Sequence, residues 1–180
     1  MNIYILRHAS AGVRRANPIV DRKRPLDKEG KKHCLQLAEV LNRMDFQFDL
    51  VVSSPLKRCM QTASLVGTET GYEANILSSA ALAPEANYAQ FQKLLQECEG
   101  HENLLLVGHN PNLTQFLGSL MVPAAALDGK AASVRLRKGS LARLNYTRGP
   151  ATLQWMLDPR IVRALYATST ARSRRKTSRK

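Results

Sequence analysis

The chain has 180 residues, of which 44% are hydrophobic, and its 27 basic and 14 acidic residues give a net charge of +13. This length predicts a single domain with a substantial core, and no apolar run is long enough to span a membrane. The short opening apolar stretch lacks the basic start of a signal peptide. Three scattered cysteines favour reduced thiols in a cytoplasmic protein over a disulfide framework or a zinc site.

The positive charge is not confined to one end of the chain. Residues 172–180 hold six basic and no acidic residues, but the rest of the chain still has 21 basic against 14 acidic residues. An excess of this kind favours an anionic ligand or an acidic partner.

The first predicted strand is the apolar run of residues 3–6, which ends abruptly in Arg7 and His8. A strand that ends in this way delivers both side chains to the carboxyl edge of a sheet, where ligands of open α/β proteins bind. A polar, basic loop follows. Asp27 is predicted to cap a helix that runs to about Met44.

The next elements repeat this order of strand and helix. Residues 49–53 predict a short buried strand, and Ser54 is predicted to cap the following helix, with a proline in its first position. A weaker strand and a loop are predicted for residues 75–82. Asn87 and Gln90 match a capping box at the start of a further helix.

A continuous apolar run at residues 104–108 predicts a strand that is covered on both faces of the sheet. It ends in His109, and the sequence predicts that another helix begins directly afterwards, with Asn110 as its cap. With residues 3–6 and 49–53, it is one of the three main predicted strands that precede a helix.

The pattern then changes to a predicted hairpin of residues 133–137 and 141–146, a strand at 151–157 and a short closing helix at 159–166. The alternation followed by a hairpin predicts a three-layer α/β/α sandwich whose central sheet is mostly parallel with an antiparallel edge. Residues 167–180 are poor in apolar residues and predict a basic, disordered tail.

Side chains suited to bind phosphate follow the three main strands. If these strands are parallel neighbours, Arg7, His8, Arg58 and His109 meet at one edge, close to two helix N-termini that favour anions. The planar fork of an arginine can donate two hydrogen bonds to a phosphate. Two imidazoles can supply a nucleophile and a second donor. The pattern therefore indicates phosphoryl transfer through a phosphohistidine, without a metal or cofactor.

Three blocks of the sequence resemble the histidine phosphatase (phosphoglycerate mutase-like) superfamily. They are Leu6-Arg7-His8-Ala9, Ser53-Ser54-Pro55-Leu56-Lys57-Arg58-Cys59-Met60-Gln61-Thr62 and Val107-Gly108-His109-Asn110-Pro111. The resemblance covers residues 1–166, which it defines as the phosphatase domain. Residues 24–30 are most similar to the SixA-type phosphohistidine phosphatases. Because that group lacks the large inserted cap of other members, the resemblance implies a sandwich without a cap.

The resemblance also implies a role for each main site residue. His8 would attack phosphorus and become transiently phosphorylated, and water would then hydrolyse the phosphoenzyme. Arg7, Arg58 and His109, the last as an imidazolium, would neutralise charge on the phosphoryl oxygens. The family usually has glycine where this chain has Ala9, but alanine is small enough to leave room for a phosphate.

Three other residues are weaker candidates for substrate binding. Arg24 would contact the substrate or form a structural salt bridge, and Ser10 would reach the phosphate or lie exposed on its loop. Glu85 would donate a proton to the leaving group or lie solvated near a helix start. His33, on a lysine-rich helix, is predicted to be a surface residue.

The sequence leaves three functions open. The favoured one is a phosphohistidine phosphatase that acts on a signalling or phosphotransfer protein. The second is a phosphomonoesterase that acts on small molecules. The third is a non-catalytic protein that binds nucleic acid or an acidic partner, and retention of all four main site residues argues against it. We predict a cytoplasmic monomer that does not bind membranes. Two alternatives stay open for its basic tail, which would contact nucleic acid or an acidic partner weakly or lie solvated without a function.

Overall fold

A computed structural model gives the structure of residues 1–123, 132–147 and 149–177. Within these ranges, six strands form one sheet: β1 (Asn2–Arg7), β2 (Leu50–Ser53), β3 (Leu77–Ser78), β4 (Asn103–Gly108), β5 (Leu141–Asn145) and β6 (Thr152–Leu157). The same ranges contain a short 3₁₀-helix (Ala80–Leu82) and the helices α1 (Pro18–Arg22), α2 (Lys28–Arg43), α3 (Lys57–Glu69), α4 (Tyr88–Glu97), α5 (Asn112–Leu120) and α6 (Pro159–Thr177).

The strand order in the sheet is β3-β2-β4-β1-β5-β6. The four strands from β3 to β1 are parallel, whereas β5 is antiparallel to β1 and β6 is antiparallel to β5. This arrangement confirms the prediction of a mostly parallel sheet with an antiparallel edge. It also confirms that β1, β2 and β4 are neighbours, so their carboxyl ends meet at one edge.

Helices cover both faces of the sheet. Alternate residues of β1 point to opposite faces, so Ile3 and Ile5 join one apolar cluster while Tyr4 and Leu6 join the other. The first cluster includes the inward sides of α4 and α5, and the second includes those of α2, α3 and α6. The predicted three-layer sandwich is therefore confirmed, and no large insertion interrupts the described chain.

Local capping explains where two of the predicted helices begin. The carboxylate of Asp27 accepts a hydrogen bond from the backbone N–H of Gly30 at 2.7 Å, as expected of a helix cap. Asn87 and Gln90 form the full capping box, in which each side chain accepts from the backbone of the other residue. Both start signals were predicted correctly from the sequence.

Two local predictions are wrong. Ser54 does not cap α3, which begins at Lys57 with Leu56 at the cap position; the Ser54 hydroxyl bonds the ring of His109 at 2.9 Å and accepts only a long hydrogen bond from the Leu56 N–H at 3.4 Å. Residues 133–137 form no strand. The segment cannot pair with β5 as a hairpin partner because β5 already lies between β1 and β6.

The last helix is longer than predicted. The sequence predicted that it ends near Tyr166, but α6 continues to Thr177, into the segment predicted to be a disordered tail. Alanine, arginine and lysine are strong helix formers, and no glycine or proline interrupts residues 160–177. The division into a domain and a tail remains a prediction, and residues 178–180 lie outside the described residues.

A tight turn at Gly139 packs against the end of β1 and links this strand to α2 through hydrogen bonds. His33 of α2 is buried rather than exposed as predicted, and its Nε2 lies 2.9 Å from the carbonyl oxygen of Gly139. The N–H of Gly139 donates to the carbonyl oxygens of Arg7 and His8 at 3.0 and 3.2 Å. Gly139 has φ +79, a conformation that disfavours larger residues. The turn thus fixes the backbone of the two residues that end β1.

No helix in the described ranges has the length and apolar character needed to cross a membrane.

Candidate active site

A cavity of about 850 Å³ opens at the carboxyl ends of β1 and β4. Its wall contains Arg7, His8, Arg58 and His109. The ring centroids of the two histidines lie 5.1 Å apart, and Nη2 of Arg58 lies 3.4 Å from Nδ1 of His109. Arg7 at the end of β1 is paired with Gly108 at the end of β4, which explains why the side chains converge. The structure brings together all four residues that were predicted to share a site.

His8 is held as a neutral imidazole with a defined tautomer. Burial, together with the positive charges of Arg58 and Arg7, lowers the pKa of His8 to about 3. Its Nδ1 lies 2.8 Å from the carbonyl oxygen of Ala9. Because a carbonyl oxygen only accepts hydrogen bonds, Nδ1 carries the proton and Nε2 keeps its lone pair. The second nitrogen is therefore available as a nucleophile at neutral pH.

Arg7 is positioned by the segment that was wrongly predicted to be a strand. Its Nη1 donates to the carbonyl oxygen of Leu136 at 2.9 Å, and Nδ2 of Asn110 donates to the same oxygen at 3.0 Å. Asn110 was predicted to cap α5, but Pro111 occupies the cap position. The Asn110 side chain instead helps to hold Leu136 against Arg7, at the wall of the cavity.

His109 is also neutral in this structure, in contrast to the imidazolium that the family resemblance implied. Burial, with His8, Arg58 and Arg7 nearby, lowers its pKa to about 2. Nδ1 faces the Arg58 guanidinium, which can only donate, so the proton of the neutral ring lies on Nε2. Nε2 then donates to the hydroxyl of Ser54 at 2.9 Å.

Asp21 is a site residue that the sequence analysis missed. Arg58 Nη1 donates to the backbone oxygen of Asp21 at 3.0 Å and to its Oδ2 at 3.3 Å. Arg24 Nε donates to Oδ1 of the same carboxylate at 2.8 Å. The hydrogen bond from Arg24, supported by that from the Arg15 backbone, lowers the pKa of Asp21 to about 2. A lone carboxylate among five basic residues at positions 14–24 was the available signal.

The weaker candidates are placed differently from one another. Arg24 lines the cavity and also forms the structural salt bridge with Asp21 that the sequence analysis had left open. Glu85 lines the cavity, next to Pro84. Ser10 is not part of the cavity wall, because its hydroxyl donates to Oδ2 of Asp27 at 2.6 Å.

Ala9 is accommodated without strain. Its side chain is buried, and its N–H donates to Oγ1 of Thr62 at 3.2 Å. Among the described non-glycine residues, Asp45 alone has a positive φ. The backbone at Ala9 therefore does not need the left-handed conformation that would favour glycine.

Within the described ranges, no group of three or more His, Cys, Asp or Glu side chains is arranged to hold a metal ion. The polar side of the cavity is dominated instead by cations. Seven of its lining residues are basic: Arg7, Arg14, Arg15, Arg22, Arg24, Arg58 and Lys138. Two are acidic, and one of these, Asp21, is bonded to two of the arginines. Such a wall suits a strongly anionic ligand.

The fold and the cavity together define a class of protein: an α/β sandwich with two arginines and two neutral imidazoles converging at the carboxyl edge of a parallel sheet. The sequence profile of the histidine phosphatase superfamily (branch 1) matches residues 3–97, and the chain belongs to this superfamily. Membership supports a phosphatase activity.

Known proteins are similar to this chain in sequence or in fold. Over 119 residues the chain is 32% identical to an uncharacterized protein of Picosynechococcus sp., a match that covers 64% of this chain and 70% of that protein. The structure of the protein histidine phosphatase SixA complexed with tungstate superposes with a TM-score of 0.76, at 23% identity over 88% of this chain and 97% of SixA. The alpha-ribazole phosphatase from Shigella flexneri gives a TM-score of 0.68, at 18% identity over 88% and 97% of the two chains.

Proposed function

We propose that this protein is a phosphohistidine phosphatase, which removes phosphate from a phosphohistidine-containing signalling or phosphotransfer protein through a covalent phospho-His8 intermediate. The observation that carries the proposal is the state of His8: a neutral ring, protonated on Nδ1, with its Nε2 lone pair free beside two arginines. The SixA-like fold without a cap supports the choice of substrate.

In the first step, Nε2 of His8 attacks phosphorus. A new P–N bond forms as the P–N bond of the substrate breaks, and the departing imidazole keeps the bonding electron pair and takes up a proton from the solvent water. The positive charge that develops on the His8 ring is stabilised by the carbonyl oxygen of Ala9, which accepts from Nδ1. Arg7 and Arg58 neutralise charge on the phosphoryl oxygens in the transition state.

In the second step, water attacks phosphorus and the bond to His8 breaks, which releases inorganic phosphate and a proton and restores the neutral imidazole. His109 is neutral beside Arg58 and His8, but the pKa of an imidazole rises next to an anion. A bound phosphoryl group therefore favours proton uptake by His109, which would convert it into an additional donor. No metal takes part in either step.

A nitrogen leaving group needs no strong dedicated acid once it is protonated, whereas an alkoxide does. Glu85 is the acidic residue of the cavity wall that is not bonded to an arginine of the site. Its presence favours a second candidate function, in which the protein hydrolyses small phosphomonoesters and Glu85 protonates the alcohol.

The first test compares wild type, His8→Ala and the control His101→Ala, whose histidine lies outside the cavity wall. Each protein is incubated in EDTA with a phosphohistidine protein domain and with a panel of small phosphomonoesters. We expect rapid dephosphorylation of the domain by wild type and the control, and a loss of several orders of magnitude in His8→Ala. When the phosphate of the substrate is radioactively labelled, an alkaline quench preserves any phosphohistidine that has formed. Labelled phosphate should then be found on wild type and not on His8→Ala.

The outcomes separate the candidates. Turnover confined to small esters would retain the His8 mechanism and reject the phosphohistidine substrate. Equal inactivity of wild type and His8→Ala on every substrate would reject the enzyme altogether and favour a binding protein. Glu85→Gln adds a second readout, because it should leave P–N hydrolysis nearly unchanged and slow ester hydrolysis by at least about tenfold.

A further inference from the structure

The segment of residues 13–23, called the lip below, forms one side of the mouth of the cavity. It contributes Arg14, Arg15 and Arg22 to the cavity wall. These three arginines are exposed and form no salt bridge with any described residue. The adjacent Lys23 is exposed as well and lies outside the wall. The lip therefore presents uncompensated positive charge next to the nucleophile.

The lip also exposes apolar surface. Val13, Ile19 and Val20 have 81%, 69% and 50% of their surface exposed. Among the large hydrophobic residues of the described chain they rank first, second and fourth in exposure, and Leu77 ranks third at 51%. None of the three lines the cavity. Several exposed aliphatic residues that alternate with charged residues along one segment are typical of a surface that another protein covers.

The lip is held in place from beneath. The Asp21 carboxylate accepts from the backbone N–H of Arg15 at 2.9 Å while it also bonds Arg24 and Arg58. Asn17 caps α1 by accepting from the N–H of Ile19 at 2.9 Å. The exposed side chains therefore stand on a backbone that is fixed to the catalytic arginine. A preformed surface of this kind loses little conformational entropy when a partner binds.

We propose that the lip is the docking surface for the phosphoprotein substrate, and that it fits an acidic surface with an apolar centre next to the phosphohistidine. The inference rests on the proposed function. Charge complementarity carries the choice of partner: Arg14, Arg15, Arg22 and Lys23 match carboxylates around the scissile group, while Val13, Ile19 and Val20 supply apolar contact.

A protein fits this surface better than a single-stranded nucleic acid does. Proteins that bind single-stranded nucleic acid stack bases on aromatic side chains, and residues 9–27 contain no aromatic residue. The aliphatic residues of the lip suit the apolar core of a protein interface instead.

The test compares two substrates that share one scissile bond: a phosphotransfer domain phosphorylated on histidine, and free phosphohistidine. Both need the His8 chemistry, but the domain alone can contact the lip. The variant is the triple change Val13→Ser, Ile19→Ser, Val20→Ser. Its matched control replaces Leu35, Leu77 and Ile161, which are exposed by 44%, 51% and 48% and lie outside the cavity wall, with serine.

We expect the lip variant to raise KM for the domain by about tenfold or more, with kcat/KM for free phosphohistidine within twofold of wild type. The control variant should change neither substrate. Lys23→Glu should also raise KM for the domain alone, whereas Lys31→Glu on α2 should not. Matching melting temperatures of all variants would exclude a general loss of folding.

An unchanged KM for the domain in the lip variant would overturn the inference, as would an equal loss on both substrates. Displacement of the domain by a DNA duplex that binds the lip with higher affinity would also overturn it, in favour of nucleic acid. Failure of the proposed function is visible separately, because wild type would then leave both P–N substrates intact.

Discussion

Arg58 donates from one nitrogen, Nη1, to both the backbone oxygen and the carboxylate of Asp21, at 3.0 and 3.3 Å. The two residues are 37 positions apart, one on α3 and one on α1. Arg24 binds the other oxygen of the same carboxylate. Asp21 therefore separates two guanidinium groups that would otherwise repel each other, and it fixes the orientation of Arg58 towards the cavity.

We predict that Asp21→Asn lowers kcat/KM by about tenfold to a hundredfold. The amide keeps the size of the carboxylate but loses its charge, so Arg58 and Arg24 lose their counterion and Arg58 is less well oriented. Steady-state kinetics with a phosphohistidine substrate, together with the inhibition constant of inorganic phosphate, measures the effect. The matched control is Asp158→Asn, which removes a carboxylate that contacts Arg137 and Arg160 away from the cavity. Equal losses in both variants would contradict a positioning role for Asp21.

The same carboxylate makes stability depend on pH. The pKa of Asp21 falls from 3.8 to about 2 in the folded protein, so its charged form stabilises the fold above about pH 4. This stabilisation, on the order of 1 kcal/mol, is lost as the pH falls from about 4 to about 2. Urea unfolding of wild type and Asp21→Asn should show that their difference in free energy shrinks over this range. A constant difference would contradict the prediction.

We predict that His8 and His109 stay neutral from about pH 8 to about pH 4.5, since their pKa values are about 3 and about 2. In ¹⁵N NMR spectra of the rings, His8 should carry its proton on Nδ1 and His109 on Nε2. The spectrum of His8→Ala assigns the signals. A titration of either ring near pH 6.5 would show that burial and the neighbouring cations do not control its charge.

Gly30 of α2 is predicted to tolerate no side chain. The carbonyl oxygen of Ser10 lies where a Cβ atom of residue 30 would be, and Ser10 follows His8 by two residues. Gly30→Ala should therefore destabilise the fold by about 2 kcal/mol or more and lower kcat as the backbone near His8 shifts. Gly67 is the control, because its nearest neighbour would be Tyr72 at 3.6 Å.

Gly67→Ala should instead stabilise α3 by up to about 1 kcal/mol, since alanine has the higher helix propensity and meets no close contact. Urea unfolding of both variants measures the pair. Equal effects of the two substitutions would show that the contact with Ser10 is not what requires glycine at position 30.

The strand ends could be predicted because their signals are local. A buried parallel strand is a continuous apolar run, so Arg7, His8 and His109 stand out where the two runs stop. Asp27 and Asn87 were recognised as caps because their partners lie only three residues away. That the three main strands are parallel neighbours was a condition of the predicted site, and the sheet order meets it.

The errors share one physical cause, which is competition from partners far away in the sequence. Ser54 has the right residue type for a cap but lies two residues before the cap position, and its hydroxyl bonds His109, 55 residues later. His33 lies among lysines yet is buried, because the turn at Gly139 covers it. Asp21 lies in a segment that the sequence assigned to a loop, and its hydrogen bond with Arg58 exists only because the fold packs α3 against this segment.

The sequence by itself therefore predicted the class of fold and the candidate site residues His8, Arg7, Arg58 and His109, since periodicity, capping and strand ends act over a few residues. The superfamily followed from the resemblance of three sequence blocks to its members. The tertiary structure alone decided the charge state of the two imidazoles, the bonding of Asp21 and the exposure of the lip. Burial and electrostatic neighbours set these properties, and they exist only when segments far apart in the chain are packed together.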